Sequence, residues 1–365
     1  MLDNSDQSTP PSAEQQFSSQ SDISGQMPPP PPPPAGYPVM LPMGAPNKTF
    51  VSRLKDALVL IIFWGSLLLN LLLLLAISAG QVDGEVREKT LIKGSDKQRI
   101  AVIDVKGIIT DELAEQLKPQ FKRVKEDANY KGLLLYVDSP GGGVAASDTI
   151  AHYVKGIKEA NKPVVVYMGG LAASGGYYVS ALGDYIMAGP TTITGSIGVI
   201  AQLPNVYGTL EKIGANVVVI TSTPATKKAI GSPFLPWDPA NREYFLKLID
   251  SAHQRFVDVV YEGRGAYFPD ISGLEKLANG AVLTAAQAKD AKLIDEEGVY
   301  FEDAVDKAAK LAKLTKPKVV QLYRPPSLRE LLTGQAETSS PVVKLDSSLL
   351  DRFTSPRLMY LWQGQ

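Results

Sequence analysis

The distribution of apolar residues divides this chain before any motif is considered. From Ala57 to Gly80 there are 24 residues without a charge, dominated by Leu58–Ile62 and Leu71–Leu75. As a helix this run extends about 36 Å, enough to cross a hydrocarbon layer of ~30 Å with some tilt. It is longer than the apolar core of a cleaved secretory signal and starts late in the chain, so it reads as a retained anchor. Lys48, Arg53 and Lys55 precede it, whereas Asp83 and Glu85 come first on the far side. Although Arg87 and Lys89 follow, this asymmetry predicts a cytoplasmic N-terminus with the remainder outside.

Beyond the anchor, short apolar runs alternate with helical patterns. Ile100–Val105, Gly132–Val137, Pro163–Met168, Tyr185–Ala188 and Asn216–Ile220 are apolar and bounded by turn residues. Runs this uniformly apolar predict strands of a sheet covered on both faces. Helical patterns are expected over Asp111–Glu126, Ala145–Ala160 and Ala240–Glu262; in the last, Phe245, Ile249, Ala252, Phe256, Val259 and Val260 share a face, and Asp238-Pro239 supplies a start. Repeated strand-then-helix units predict an α/β domain with a largely parallel sheet, present in one copy.

Residues 1 to 50 are rich in Ser, Gln and Pro, with seven consecutive prolines from Pro28 to Pro34. This composition predicts a disordered arm containing a stiff polyproline II spacer. A formal net charge of −1 gives no basic field for nucleic acid. The chain has no cysteine, which removes disulfides, thiolate nucleophiles and thiolate metal sites. With His152 and His253 as the only histidines, a zinc centre or a Ser-His-Asp triad has little to draw on. No cofactor and no metal is expected.

Two glycine-rich turns carry the candidate chemistry. Asp138-Ser139-Pro140-Gly141-Gly142-Gly143 follows the strand ending at Val137 and precedes a helix. Glycines there let a ligand approach the backbone closely and leave N–H groups to face a developing oxyanion, although a plain tight turn has the same composition. No Gly-Lys-Ser/Thr or Gly-x-Gly-x-x-Gly pattern follows, which argues against a nucleotide. The second turn, Gly169 to Tyr178, sets Ser174 among small residues between a buried strand and a helix. Ser174 reads either as a nucleophile or as a helix cap. Ala172 breaks the Gly-x-Ser-x-Gly pattern of an α/β-hydrolase elbow.

A serine nucleophile needs a base, and the lysine pair Lys227-Lys228 in the polar loop Thr221–Ser232 is the remaining candidate. A free lysine amine is neutral in only about one molecule in 10³ to 10⁴ at pH 7, so the role requires an environment such as burial that lowers its pKa. Read alone, the pair is better explained by a solvated loop.

Jointly, Ser139–Gly143, Ala173-Ser174-Gly175-Gly176-Tyr177-Tyr178, Thr192–Ile200, Lys228 to Ser232-Pro233-Phe234, and Ala288 to Gly298 with Leu293-Ile294-Asp295 resemble the bacterial signal peptide peptidase A family of Ser-Lys proteases. The resemblance covers roughly residues 98 to 310. It implies a Clp-protease/crotonase-like fold, an α/β protease domain over 98–322 behind one transmembrane helix over 57–80, with residues 325–365 as a tail. It also implies Ser174 as nucleophile, Lys228 as general base with Lys227 in reserve, Ser196 as the serine orienting the lysine amine, and the N–H groups of Gly142 and Gly175 as oxyanion hole. Ala229 departs from the acidic residue that many members carry directly after the lysine. The implied reaction is endoproteolysis of remnant signal peptides through an acyl-enzyme. Implied with it is a ring-shaped homo-oligomer in which serine and lysine come from neighbouring subunits. Competing expectations are a processing protease for a specific membrane protein, a crotonase-like acyl-thioester enzyme and a catalytically silent membrane scaffold. The apolar segment Arg357–Trp362 is expected either to dock, the enzyme's own groove included, or to be a disordered end.

Overall fold

A computed structural model describes residues 49–79, 86–325 and 357–362. The expected proline-rich arm lies outside them, apart from the last two residues of its range, as does most of the expected tail. The chain divides into two units, residues 1–69 and 70–365. Helix α1 (Phe50–Ala79) contains the apolar run up to Ala79; its stretch Phe50–Leu75, with mean hydropathy 2.7, is long and apolar enough to cross a membrane.

The second unit is built on one large sheet. Its strands are β1 (Arg87–Ile92), β2 (Ser95–Lys106), β3 (Tyr130–Ser139), β5 (Val164–Ala173), β6 (Tyr185–Ala188), β7 (Ile193–Gly195), β9 (Val282–Thr284), β10 (Glu296–Glu297) and β11 (Pro317–Tyr323). The main path runs β1-β11-β2-β3-β5-β6-β10, and β7 branches from the end of β5 to pair with β9. From β11 to β10 every pairing on this path is parallel; β1 adds an antiparallel edge, and β7 with β9 another antiparallel pair.

The strands are apolar on both faces because both are covered. Ala101, Ile103 and Val105 point to one side with Leu133, Leu135, Val164 and Val166. Ile100, Val102, Leu134 and Val165 point to the other, where Ala304, Val305 and Ala308 of α9 (Phe301–Leu311) pack on them. This is period-two alternation in which neither side is polar. The larger face carries α2 (Asp111–Glu126), α3 (Val144–Glu159), α4 (Gly175–Ser180) and the buried half of α6 (Pro239–Arg264). Thr110 caps α2 by accepting from the Leu113 N–H, with Asp111 and Glu112 in the first turn. The architecture agrees with the expected α/β, Clp-protease-like fold.

One expected strand does not form. Among the described residues Asn216–Ile220 pairs with no strand, and its side chains lie exposed, Val218 by 74% and Ile220 by 88%. Its β-branched composition suits a strand, but pairing is decided by a neighbouring edge, and no described strand offers it one. Conversely, residues 357–362 contain β12 (Arg357–Leu361). It completes a second, three-stranded sheet between β4 (Gly141–Gly143) and β8 (Ile200–Gln202).

Candidate active site

Ser174 stands where β5 ends and α4 begins, and its backbone is unusual. It adopts φ 55° and ψ −118°, a conformation that residues with a β-carbon rarely take. Its N–H donates to the Gly195 carbonyl (2.8 Å), while its own carbonyl accepts from the Tyr178 N–H (2.8 Å). Its side chain caps nothing in α4, so the hydroxyl is not spent on the helix terminus. Ser174 is 1% exposed, yet it lines a cleft of about 590 Å³ together with Ser196.

Ser196 is the second non-glycine residue of this region with positive φ (52°). Its N–H donates to the Ala281 carbonyl (2.7 Å), and the buried hydroxyls of Thr192 and Thr194 donate to the carbonyls of Gly169 and Ala172 (both 2.6 Å). These bonds tie the Thr-Ile-Thr-Gly-Ser segment to the end of β5, bringing both serines to one cleft from positions 22 residues apart.

The Gly141–Gly143 turn forms the opposite wall. A β-carbon at Gly141 (φ 100°) would stand 1.9 Å from the Tyr360 carbonyl oxygen and 2.6 Å from the Gly175 nitrogen. A β-carbon at Gly175 would meet the Ser147 hydroxyl at 2.5 Å and the Gly142 nitrogen at 3.1 Å. Only glycine allows this convergence of backbone groups.

β12 runs through the convergence. It pairs antiparallel with β4 in the register Met359 to Gly143, Tyr360 to Gly142 and Leu361 to Gly141, and with β8 on its other edge. The Trp362 N–H donates to the Pro140 carbonyl (2.9 Å). Since hydrogen-bonded pairs alternate along an antiparallel ladder, Tyr360 and Gly142 form the preceding one, with the Gly142 N–H directed at the Tyr360 carbonyl. The Tyr360 ring is fully buried, stacked on Tyr178 (5.0 Å between centroids) and against Phe256 (4.6 Å), and its hydroxyl donates to the Ala252 carbonyl (2.8 Å).

Charged groups brace this pocket from behind. Asp148 on α3 accepts from the Tyr178 hydroxyl (2.5 Å) and from Arg255 on α6 (2.9 Å). Burial alone would raise its pKa, but these two donors outweigh it and hold the carboxyl below the usual carboxylate range. Further back, Arg264 and Asp295 form a buried two-pronged ion pair (2.9 and 3.0 Å). Asp295 also accepts from the Ile186 N–H, and the neighbouring Leu293 carbonyl accepts from the Tyr177 hydroxyl.

Lys227 and Lys228 lie elsewhere in the unit. They sit in a single 3₁₀ turn, Thr226–Ala229, both exposed, with the Lys227 amine 5.7 Å from the Tyr244 ring centre. Neither lines the Ser174 cleft. Of the sequence-predicted residues, then, one chain brings together Ser174, Ser196, Gly142 and Gly175, and leaves the lysines apart from them. Two polar residues of α6, Asp250 and His253, join the cleft without being among the sequence-predicted site residues. Both line the cleft from α6. Their helical spacing of three was the available signal, but only the docking of α6 shows which face meets the serine. Among the described residues no three His, Asp or Glu side chains converge as a metal would require.

The comparisons agree with this architecture. Residues 156–315 match the family model Peptidase family S49, and residues 85–193 match that of Clp protease. A protein of Enterococcus faecium named "Putative signal peptide peptidase SppA" is 36% identical over 65% of this chain and 70% of its own length. Protease 4 of Haemophilus influenzae is 30% identical over 72% of this chain and 46% of its own length. The chloroplastic serine protease SPPA of Arabidopsis thaliana is 34% identical over 66% of this chain and 36% of its own. The chain thus spans less than half of the latter two relatives. A strand-end serine, a glycine turn facing it and these relations together show that the chain belongs to peptidase family S49.

Proposed function

We propose that the protein is a membrane-anchored serine endopeptidase that takes its substrate as an extended strand and cleaves it through an acyl-enzyme on Ser174. The observation that carries this reading is β12. A peptide backbone already lies between the glycine turn and β8, with one carbonyl, that of Tyr360, beside the N–H groups of Gly142 and Gly175, and the next two residues, Leu361 and Trp362, line the cleft together with Ser174. In the proposed reaction the Ser174 hydroxyl attacks such a carbonyl, and the negative charge that develops on its oxygen is stabilised by those two N–H groups. A base takes the serine proton and returns it to the leaving amine; water then releases the acyl group.

Lys228 is the proposed base, with Ser196 orienting its amine. Because Lys228 is exposed and outside the cleft of its own chain, the reading assigns it to a neighbouring copy in a ring. The uncovered apolar side chains around the lysine turn support that assignment: Val218, Ile220 and Trp237 are all exposed, as surfaces awaiting a partner are. Burial at such an interface would also lower the lysine pKa. α1 would hold the ring at a membrane, with the N-terminus cytoplasmic. Remnant signal peptides are the proposed substrates, since they are extended, apolar and membrane-retained, and the Tyr178–Phe256 pocket accepts a large apolar side chain. A specific membrane protein processed by the same chemistry is the nearest alternative.

The test is labelling of the detergent-solubilised full chain with a fluorophosphonate. Labelling should be lost in Ser174→Ala and Lys228→Ala and kept in Lys227→Ala. Absence of labelling in the assembled wild type would overturn the peptidase reading.

A further inference from the structure

The wall of the cleft past Ser174 is not neutral. Among the described residues of one chain, Asp250 is the one carboxylate lining it, and no lysine or arginine does; His253, one turn along α6, and Ile249 stand beside Asp250. The Asp250 carboxylate makes no ion pair or hydrogen bond with another described residue. Asp148, the other carboxylate near this face of α6, is occupied by Arg255 and the Tyr178 hydroxyl.

The register of β12 fixes which position of a bound peptide meets this wall. Tyr360 sends its side chain towards α6, where its hydroxyl reaches the Ala252 carbonyl. Alternate residues of a strand share a face, so Trp362 also points to α6. It lines the cleft with Ile249, Asp250 and His253, residues of α6 that lie within one turn of Ala252. Taking Tyr360 as the residue whose carbonyl faces Gly142 and Gly175, Leu361 is the first residue after the cleaved bond and Trp362 the second. The group seated there has a long apolar body and a single donor at its tip.

We infer that Ile249, Asp250 and His253 form a specificity subsite for the second residue after the cleaved bond, and that Asp250 makes a lysine or arginine the preferred occupant. The inference rests on the peptidase reading above. The stem of the cationic side chain lies along Ile249 and its head reaches the carboxylate. The site is partly solvated, so the gain is modest: about fivefold for lysine over an uncharged side chain of equal length, and about tenfold or more over glutamate.

The test uses internally quenched peptides identical except for lysine, norleucine or glutamate two residues after a tyrosine. They are cleaved by the full chain in detergent, with the cleaved bond located by mass spectrometry. The wild type should rank kcat/KM as lysine, then norleucine, then glutamate. Asp250→Asn should bring the lysine to norleucine ratio close to one, and Asp250→Lys should place glutamate first. Ratios within each variant do not depend on the folded fraction or on competition from the enzyme's own tail. Cleavage after tyrosine at equal rates for all three peptides, or an order unchanged in both variants, overturns the subsite and leaves the peptidase reading standing. No cleavage of any peptide, with no fluorophosphonate labelling, overturns both.

Discussion

Tyr360 faces Gly142 across the ladder between β12 and β4, so the chain presents one of its own carbonyls to the turn that also approaches Ser174. The contact is anchored by the Tyr360 ring between Tyr178 and Phe256 rather than by the backbone alone.

That anchor makes the tail a competitor for the cleft. Tyr360→Ala removes a fully buried aromatic ring, a change worth about 3–5 kcal/mol in a packed core. Hydrolysis of an added quenched peptide should rise by at least tenfold. Tyr360→Phe keeps the stacking and loses one hydrogen bond, about 1 kcal/mol, so the rise should be about fivefold. Equal rates in wild type and Tyr360→Ala would show that the tail leaves the cleft freely.

Ser174 holds a left-handed backbone angle that glycine adopts without strain. Ser174→Gly should therefore melt at a higher temperature than Ser174→Ala, by an amount corresponding to about 1 kcal/mol, with both lacking fluorophosphonate labelling. A lower melting temperature for Ser174→Gly would mean that the surrounding segments impose no such strain.

The Arg264–Asp295 pair is buried and bidentate, and Asp295 also receives the Ile186 N–H. Removing one partner leaves the other charge in the interior, so Arg264→Leu should cost about 3–5 kcal/mol in urea unfolding. Because the same segment accepts the Tyr177 hydroxyl from α4, fluorophosphonate labelling should slow in proportion more than the folded fraction falls. A loss below about 1 kcal/mol would contradict the burial argument.

Asp148 gives a pH dependence of defined sign. Its pKa in the folded chain is depressed by the Tyr178 hydroxyl and Arg255, against burial, relative to an ordinary value of 3.8. The stabilisation is therefore complete above that value and is lost as pH falls through the lower folded value. The urea midpoint of the wild type should fall more steeply below pH 4 than that of Asp148→Asn. Parallel curves for the two proteins would remove Asp148 from this role.

Local chemistry was legible along the chain because it depends on near neighbours. The apolar run of α1, the two-faced strands β2, β3 and β5, and α2 with its Thr110 cap follow from residue type and spacing. The glycine turn and Ser174 stand out for the same reason: close backbone approach and a strained turn demand small residues at fixed positions.

What the chain could not announce depended on partners far away in sequence. Asn216–Ile220 has the composition of a strand and no edge to join among the described residues, whereas Arg357–Leu361 gains its strand from two edges that lie over 150 residues upstream. Asp250 and His253 differ from other polar residues of α6 only in facing the serine, a fact set by how the helix docks. Sequence determined which segments can be helix, strand, anchor or reactive turn, through periodicity and backbone freedom. Tertiary structure alone decided which of them meet, because hydrogen-bond ladders and cleft walls form between elements whose separation along the chain carries no trace of their contact.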